Sequence, residues 1–265
     1  MEWLQLLLLA LIQGLTEFLP VSSSAHLILP AQLLGWDDQG LAFDVAVHVG
    51  TLLAVLWYYR RHLASMTAGA WRGVHSRELN DDLRLGLLLV WATLPVVVCG
   101  FLFKDMIADQ TRSVAVIASA TLLFGGLLWF ADARGTHRLP LVAVGFGIAT
   151  LIGLAQALAL IPGTSRSGIT ITAALLLGLR REDAANFSFL LSIPVILGAV
   201  VLMLPDVAEA DQIYTLTQLL MACVVSGVVA YLTIAFFVRL VSRVGMLPFV
   251  LYRLALGTVL VLFFL

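Results

Sequence analysis

The chain has 265 residues, of which 61% are hydrophobic and 12% charged, and its 15 Lys and Arg nearly balance its 16 Asp and Glu. Soluble domains average about 45–50% apolar and about 25% charged residues, so this composition excludes an ordinary soluble enzyme and a disordered chain. The balanced charge offers no basic surface, and no nucleic-acid partner is expected. Because the apolar runs are continuous and lack the alternation of barrel strands, we expect a polytopic, all-α membrane protein.

Six continuous apolar runs are long enough to cross a bilayer core about 30 Å thick as helices. They lie at about residues 41–59, 83–103, 113–130, 185–204, 217–238 and 246–265. Two further apolar regions, 3–34 and 140–180, are each interrupted in the middle by a polar segment that contains proline. Irregular backbone at membrane depth is tolerated only where protein buries it or water reaches it, so two such interruptions predict a cavity.

Basic residues are distributed unevenly among the segments that connect these runs. Eleven of the 15 lie in the segments 60–84, 131–139, 180–184 and 239–245. The segments that alternate with these, 104–112 and 205–216, hold only two basic residues, Lys104 and Arg112. Since cytoplasmic loops carry the excess of Lys and Arg, we expect the first set in the cytoplasm and the second outside. Region 140–180 then enters and leaves on the cytoplasmic side as a re-entrant hairpin, and 3–34 forms a second one from the outer face.

The two interrupted regions also resemble each other in sequence. Residues 18–26 align with 160–168, which pairs Pro20 with Pro162, and Phe43 in the next run aligns with Phe187. A single domain of residues 1–265 would then consist of two repeats, about 1–130 and about 140–265, inserted from opposite faces. Such an inverted-topology repeat places its site near the midplane, where the broken helices meet. The alternative is two unrelated kinks in apolar helices.

Hydroxyl groups gather where the two interruptions lead into helices. Pro20 and Pro162 suit the first turn of a helix, so the hydroxyls fall at two helix N-termini. The first group is Ser22, Ser23 and Ser24, and the second is Thr164, Ser165 and Ser167. Free N–H groups and the positive end of the helix dipole make such termini anion sites. Gly163 and Gly168 would let backbone approach a ligand closely.

Arg166 and three further side chains add charged and polar groups to these loops. The planar guanidinium of Arg166 suits bidentate binding of phosphate, although an ion pair with Glu17 is the alternative. Gln13 and Glu17 are four residues apart and share a helix face. His26 follows Ser23 by three residues in the next helix. A carboxylate, a hydroxyl and an imidazole around one loop suit proton transfer or nucleophilic attack on phosphorus.

Three further polar residues lie within the apolar runs. Asp44 and His48, again four residues apart, either line the cavity or serve to cap and pack their helix. Arg253, within the last run, is expected to pair with a backbone carbonyl or a carboxylate.

With these motifs the sequence resembles the undecaprenyl-diphosphate phosphatase family, also known as the bacitracin-resistance proteins. The resemblance extends over essentially the whole chain and is sharpest in residues 13–26 and 162–168. It implies a multi-pass enzyme of the bacterial inner membrane that removes the terminal phosphate of the C55 isoprenoid diphosphate. The monophosphate carrier for peptidoglycan synthesis would thereby be regenerated. The resemblance also implies a divalent cation, Mg²⁺ or Ca²⁺, and a homodimer.

One residue departs from the family pattern. Many relatives have Glu at the position of Gln13, so Glu17 is left as the expected metal ligand and Gln13 as a weak one. Substrate phosphates are then expected to supply much of the coordination.

The resulting hypothesis assigns a role to each site residue. Arg166 and the loop N–H groups hold the diphosphate, while Ser23, or alternatively His26, attacks the terminal phosphorus and Glu17 shares proton transfer with His26. The phosphate-binding residues are Ser22, Ser24, Gly163, Thr164, Ser165, Arg166 and Ser167. We expect the site to open to the outer, periplasmic face. A transporter or flippase of the polyprenyl phosphate that uses the same site is the alternative function.

Overall fold

The computed structural model describes residues 3–76, 79–103, 111, 113–209 and 213–265. Over these residues the chain forms eleven α-helices and two short 3₁₀ turns, Leu141–Ala143 and Leu158–Leu160. The α-helices are α1 Trp3–Thr16, α2 Ser23–Leu34, α3 Gly40–Tyr58, α4 Arg60–Ser76, α5 Asp81–Leu102, α6 Val114–Arg134, α7 Phe146–Ala157, α8 Arg166–Leu176, α9 Arg181–Glu209, α10 Leu216–Val244 and α11 Leu247–Phe264. The all-α prediction is therefore confirmed.

Six of these helices are long and apolar enough to cross a membrane: α3, α5, α6, α9, α10 and α11. They coincide with the six predicted runs. Large apolar side chains on their outer faces stay exposed, including Phe101 and Phe263 at 73% each. In lipid such side chains need no protein partner, because the surrounding acyl chains are equally apolar. The chain is thus a multi-pass membrane protein.

Both predicted interruptions are present. The first separates α1 from α2 at residues 17–22, and the second separates the 3₁₀ turn Leu158–Leu160 from α8 at residues 161–165. The prediction that the two prolines occupy first helical turns is wrong, since Pro20 and Pro162 lie in the turns that precede the N-cap residues Ser22 and Ser165. The N-caps also shift the correspondence between the two segments by one residue, because Ser22 matches Ser165 rather than Thr164.

The segment 60–84, predicted as a loop, contains helix α4 and the start of α5. Helix α4 packs against α5, where an added Cβ at Gly69 would overlap Asp82. Its polar and apolar residues are mixed, so a search for continuous apolar runs passes over it. Of the segment 104–112, predicted to be external, only Thr111 is among the described residues, and Lys104 and Arg112 lie outside them.

Close helix contacts hold the two interruptions inside the protein. Helices α1 and α3 pack on α10, and α7 and α9 pack on α5. An added Cβ at Gly14 would lie 2.6 Å from the carbonyl oxygen of Ser226, and one at Gly153 would lie 2.5 Å from that of Ala92. Helix α8 is buried against α6, α7 and α9. The non-helical backbone is thus enclosed by protein, as its depth requires.

Candidate active site

The serines that precede the two helices share an unusual, positive φ. Ser22 and Ser165 precede α2 and α8 with φ of 74° and 72°, in the left-handed region that residues other than glycine seldom adopt. In each case the hydroxyl lies close to that of the serine two residues later, at 3.3 Å for Ser22 and Ser24 and 3.2 Å for Ser165 and Ser167. Strained backbone of this kind clusters at functional sites, where the surrounding structure enforces it.

The carboxylate of Glu17 connects the two interruptions. Its Oε2 accepts hydrogen bonds from Ser23 Oγ at 2.8 Å and from Gln13 Nε2 at 2.9 Å. Its Oε1 accepts one from Arg166 Nη2 at 2.9 Å, and only 7% of the side chain is exposed. The structure therefore brings together four of the predicted residues, three around the first interruption and one from the second.

Arg166 forms an ion pair in this structure, as the alternative interpretation held. Besides the contact with Glu17, its Nη1 donates to the carbonyl oxygen of Ser188 at 3.1 Å, and its guanidinium lies 5.8 Å from the ring centre of Phe18. Ser188, on α9, was not among the sequence-based candidates. The pair neutralises a carboxylate that would otherwise be costly at this depth.

His26 points towards α11 instead of towards the carboxylate. Its Nδ1 lies 2.7 Å from the carbonyl oxygen of Ser22, and its Nε2 contacts the hydroxyl of Tyr252, whose ring stacks on the imidazole. A carbonyl oxygen only accepts, so Nδ1 carries the proton and Nε2 accepts from Tyr252. Both ring nitrogens are thus engaged. Tyr252 was also missed by sequence reasoning, because nothing local links it to a residue in α2.

Arg253 confirms the expectation of a backbone partner. Its side chain is fully buried, and it donates to Thr164 O at 2.9 Å and to Gly163 O at 2.8 Å, with a longer contact to Pro20 O at 3.4 Å. Gly163 itself packs against α6, where an added Cβ would lie 2.5 Å from Ile117 O. The carbonyl oxygen of Gly163 accepts a hydrogen bond from Arg253. Glycine is required at this position because the backbone lies so close to Ile117.

His48 enters the site from α3. Its Nε2 lies 3.7 Å from Glu17 Oε2, and its Nδ1 lies 2.7 Å from the carbonyl oxygen of Asp44. The structure thus brings His48 beside the Glu17 carboxylate, while its expected role in lining a cavity stays a prediction. The spacing of Asp44 and His48 was the available signal, but only the packing of α3 beside α1 reveals the contact with Glu17.

The remaining hydroxyls differ in their surroundings. Ser167 Oγ donates to Leu19 O at 2.9 Å, which joins the second loop to the first. Thr164 Oγ1 is buried and has no hydrogen-bond partner among the described residues, whereas Ser24 is exposed. Hydroxyls at such helix starts can donate to phosphate oxygens.

The fit of a divalent cation depends on oxygen atoms near Glu17. No group of three His, Cys, Asp or Glu side chains suited to a metal occurs among the described residues. Gln13 Oε1, however, is a buried acceptor with no partner in the described part of the chain, and its amide already contacts the Glu17 carboxylate. Carboxylate and amide oxygens suit a hard divalent ion whose other ligands are phosphates and water. The residues present therefore fit such an ion when substrate supplies the rest.

Comparison with known proteins identifies the family of the chain. The chain is 64% identical over 260 residues to the undecaprenyl-diphosphatase of Alcanivorax borkumensis, and the match covers 98% of each chain. Residues 6–259, which include both interruptions, match the family described as bacitracin resistance protein BacA. This chain belongs to the bacitracin resistance protein BacA family.

Proposed function

We propose that this protein hydrolyses undecaprenyl diphosphate to undecaprenyl phosphate and orthophosphate. The observation that carries the proposal is the hydrogen bond from Ser23 Oγ to the buried Glu17 carboxylate, at the point where the two broken helices meet. A hydroxyl paired with a base beside two helix N-termini can attack a bound phosphate. The relative from Alcanivorax borkumensis, which is named an undecaprenyl-diphosphatase, supports the same reaction.

The chemistry begins with an exchange of partners at Arg166. A diphosphate between the loops draws the guanidinium away from Glu17, because two phosphate oxygens match its planar fork. Glu17 then accepts the proton of Ser23 Oγ as that oxygen attacks the terminal phosphorus. The Ser23 Oγ–P bond forms, the bridging P–O bond breaks, and undecaprenyl phosphate leaves. Water afterwards hydrolyses the phosphoserine and releases orthophosphate.

His26 is a weaker nucleophile than Ser23 in this arrangement. Its Nε2 accepts the Tyr252 hydroxyl and its Nδ1 is protonated against Ser22, so neither nitrogen offers a lone pair to phosphorus. It instead stabilises the start of α2 and can take part in proton transfer once the Tyr252 contact opens. The N–H groups of both loops, with Ser22, Ser24, Thr164, Ser165 and Ser167, hold the phosphate oxygens. A bound Mg²⁺ or Ca²⁺ near Glu17 and Gln13 would neutralise charge that develops on the phosphates.

The proposal includes two re-entrant hairpins related as an inverted-topology repeat. Its support is that the packing of α1 and α3 on α10 is matched by that of α7 and α9 on α5, and that Ser22 and Ser165 both have a positive φ. In this arrangement the segments with most basic residues face the cytoplasm of a bacterial inner membrane and the site opens to the periplasm. The family resemblance adds a homodimer.

Phosphate release from the purified protein tests the reaction. We expect orthophosphate from undecaprenyl diphosphate with the wild type and a loss of roughly 10²–10⁴ in turnover for Ser23→Ala. Ser65→Ala, on the exposed face of α4, is the matched control and should keep full activity. Full turnover of Ser23→Ala would contradict the assigned nucleophile. Movement of unaltered lipid across proteoliposomes without phosphate release would favour the transport alternative.

A further inference from the structure

His48 lies at the site but has no role in the proposed reaction. It lies in the span α3, and its side chain is 33% exposed against 7% for Glu17. Its Nε2 is 3.7 Å from Glu17 Oε2. An ionisable side chain at membrane depth is costly, so one that faces a buried carboxylate calls for a function.

The orientation of the ring turns Nε2 of His48 towards the carboxylate. Nδ1 of His48 lies 2.7 Å from the carbonyl oxygen of Asp44, which can only accept, so Nδ1 carries a hydrogen and Nε2 is the ring nitrogen that faces the site. His26 is oriented by a carbonyl in the same way, but its Nε2 meets a hydroxyl donor. Nε2 of His48 instead faces a carboxylate oxygen. At 3.7 Å the two atoms are too far apart for a direct hydrogen bond, and two ligands of one cation can have this separation.

Gln13 contributes a third acceptor to the same place. Its Nε2 donates to Glu17 Oε2 at 2.9 Å, and its Oε1 is buried without a partner among the described residues. Both heteroatoms belong to one amide group, so a rotation of this group can present Oε1 to a cation bound at the carboxylate. A buried acceptor without a partner is unfavourable, and a bound cation would satisfy it.

We propose that Glu17, Gln13 Oε1 and His48 Nε2 together hold the divalent cation that accompanies the diphosphate. Because Gln13 is an amide and not a second carboxylate, His48 supplies the further ligand that the cation needs. A metal-bound histidine commonly donates its other N–H to a backbone carbonyl, which is the relation of His48 to Asp44. This inference rests on the proposed function for the phosphates that complete the coordination.

The ligand set predicts the class of metal. Mg²⁺ and Ca²⁺ prefer sites made only of oxygen, whereas imidazole favours first-row transition metals. One imidazole nitrogen beside a carboxylate, an amide oxygen and phosphates suits Mn²⁺ better than Ca²⁺. The site of this chain is thereby distinguished from one with Glu in place of Gln13, in which a second carboxylate would favour the harder ions.

Pulsed electron paramagnetic resonance of Mn²⁺ tests the assignment without any turnover. The wild-type protein in detergent is loaded with Mn²⁺ and methylenediphosphonate, which cannot be hydrolysed to release phosphate. We expect nitrogen modulation from one histidine together with phosphorus coupling. In His48→Gln the nitrogen modulation should vanish, and Mn²⁺ affinity should fall by at least the roughly 10–100-fold that loss of an outer-shell partner costs.

Two further variants control the experiment. His75→Gln, at the exposed end of α4, removes a histidine outside the site and should leave the nitrogen signal intact. Gln13→Glu combined with His48→Gln should restore cation binding through oxygen alone, with Mg²⁺ now competing against Mn²⁺ and no nitrogen signal. Persistence of the nitrogen modulation in His48→Gln, or phosphorus coupling without nitrogen in the wild type, would overturn the assignment. If the assignment of His48 fails in either of these ways but the wild type still releases phosphate, the proposed hydrolysis is unaffected.

Discussion

Arg253 Nη1 donates to the carbonyl oxygen of Thr164 at 2.9 Å, which connects the last helix of the chain to the second interruption. The same guanidinium reaches Gly163 and Pro20, so one side chain contacts the backbone of both loops. Interrupted helices leave carbonyl groups without intrahelical donors, and in a membrane water cannot replace them. An arginine with five donors is suited to this position because it satisfies several of these carbonyls at once.

The first prediction concerns this residue. Arg253→Met should lower the free energy of unfolding by at least about 3 kcal/mol, because each buried carbonyl left unpaired costs about 1–3 kcal/mol. Thermal unfolding in detergent measures the change. Arg239→Met, on the exposed face of α10, is the control and should stay within about 0.5 kcal/mol of the wild type. Wild-type stability of Arg253→Met would show that the loops hold their shape without this guanidinium.

The second prediction compares two glycines of α7. In Gly153→Ala the added Cβ would lie 2.5 Å from Ala92 O, so α7 must move away from α5 and stability should fall by about 1–3 kcal/mol. In Gly147→Ala the Cβ meets no atom within 4 Å, and the gain in helix propensity should leave stability equal or up to about 1 kcal/mol higher. Thermal unfolding of both variants gives the comparison. Equal effects would mean that the close packing of α7 on α5 does not occur.

The spans were predictable because each consists of one continuous apolar run, and the interruptions because proline and hydroxyl residues break such runs. Helix α4 was missed because its apolar residues recur at helical spacing along one face and do not form a continuous run. The contacts of Tyr252 with His26 and of Ser188 with Arg166 join residues far apart in sequence, and no local pattern encodes them. His48 was recognised only as a possibility, because its role depends on how α3 packs beside Glu17.

The third prediction tests the orientation of the proposed fold. In a background with Cys99→Ala and Cys223→Ala, an impermeant thiol reagent added to intact cells should label a cysteine introduced at Ala208 and leave one at His75 unlabelled. The expectation follows from the concentration of basic residues in the segments on the side of α4. Permeabilised cells, in which both positions should react, provide the control. Labelling of position 75 in intact cells would contradict the inverted-topology arrangement.

The last prediction separates the two roles of Arg166. If its fork holds two phosphate oxygens, Arg166→Ala should lose roughly 10²–10³ in turnover and Arg166→Lys should not recover it, because an ammonium group offers one point of charge.

The ion pair with Glu17 gives a structural role that must be measured separately. Removal of Arg166 alone leaves the Glu17 carboxylate buried without its charge partner, which destabilises the fold. The double variant Glu17→Gln/Arg166→Met removes both charges and should regain thermal stability while turnover stays lost. If Arg166→Lys retained near wild-type turnover, the guanidinium would act only as a positive charge beside Glu17, and the bidentate contact with phosphate would have to be abandoned.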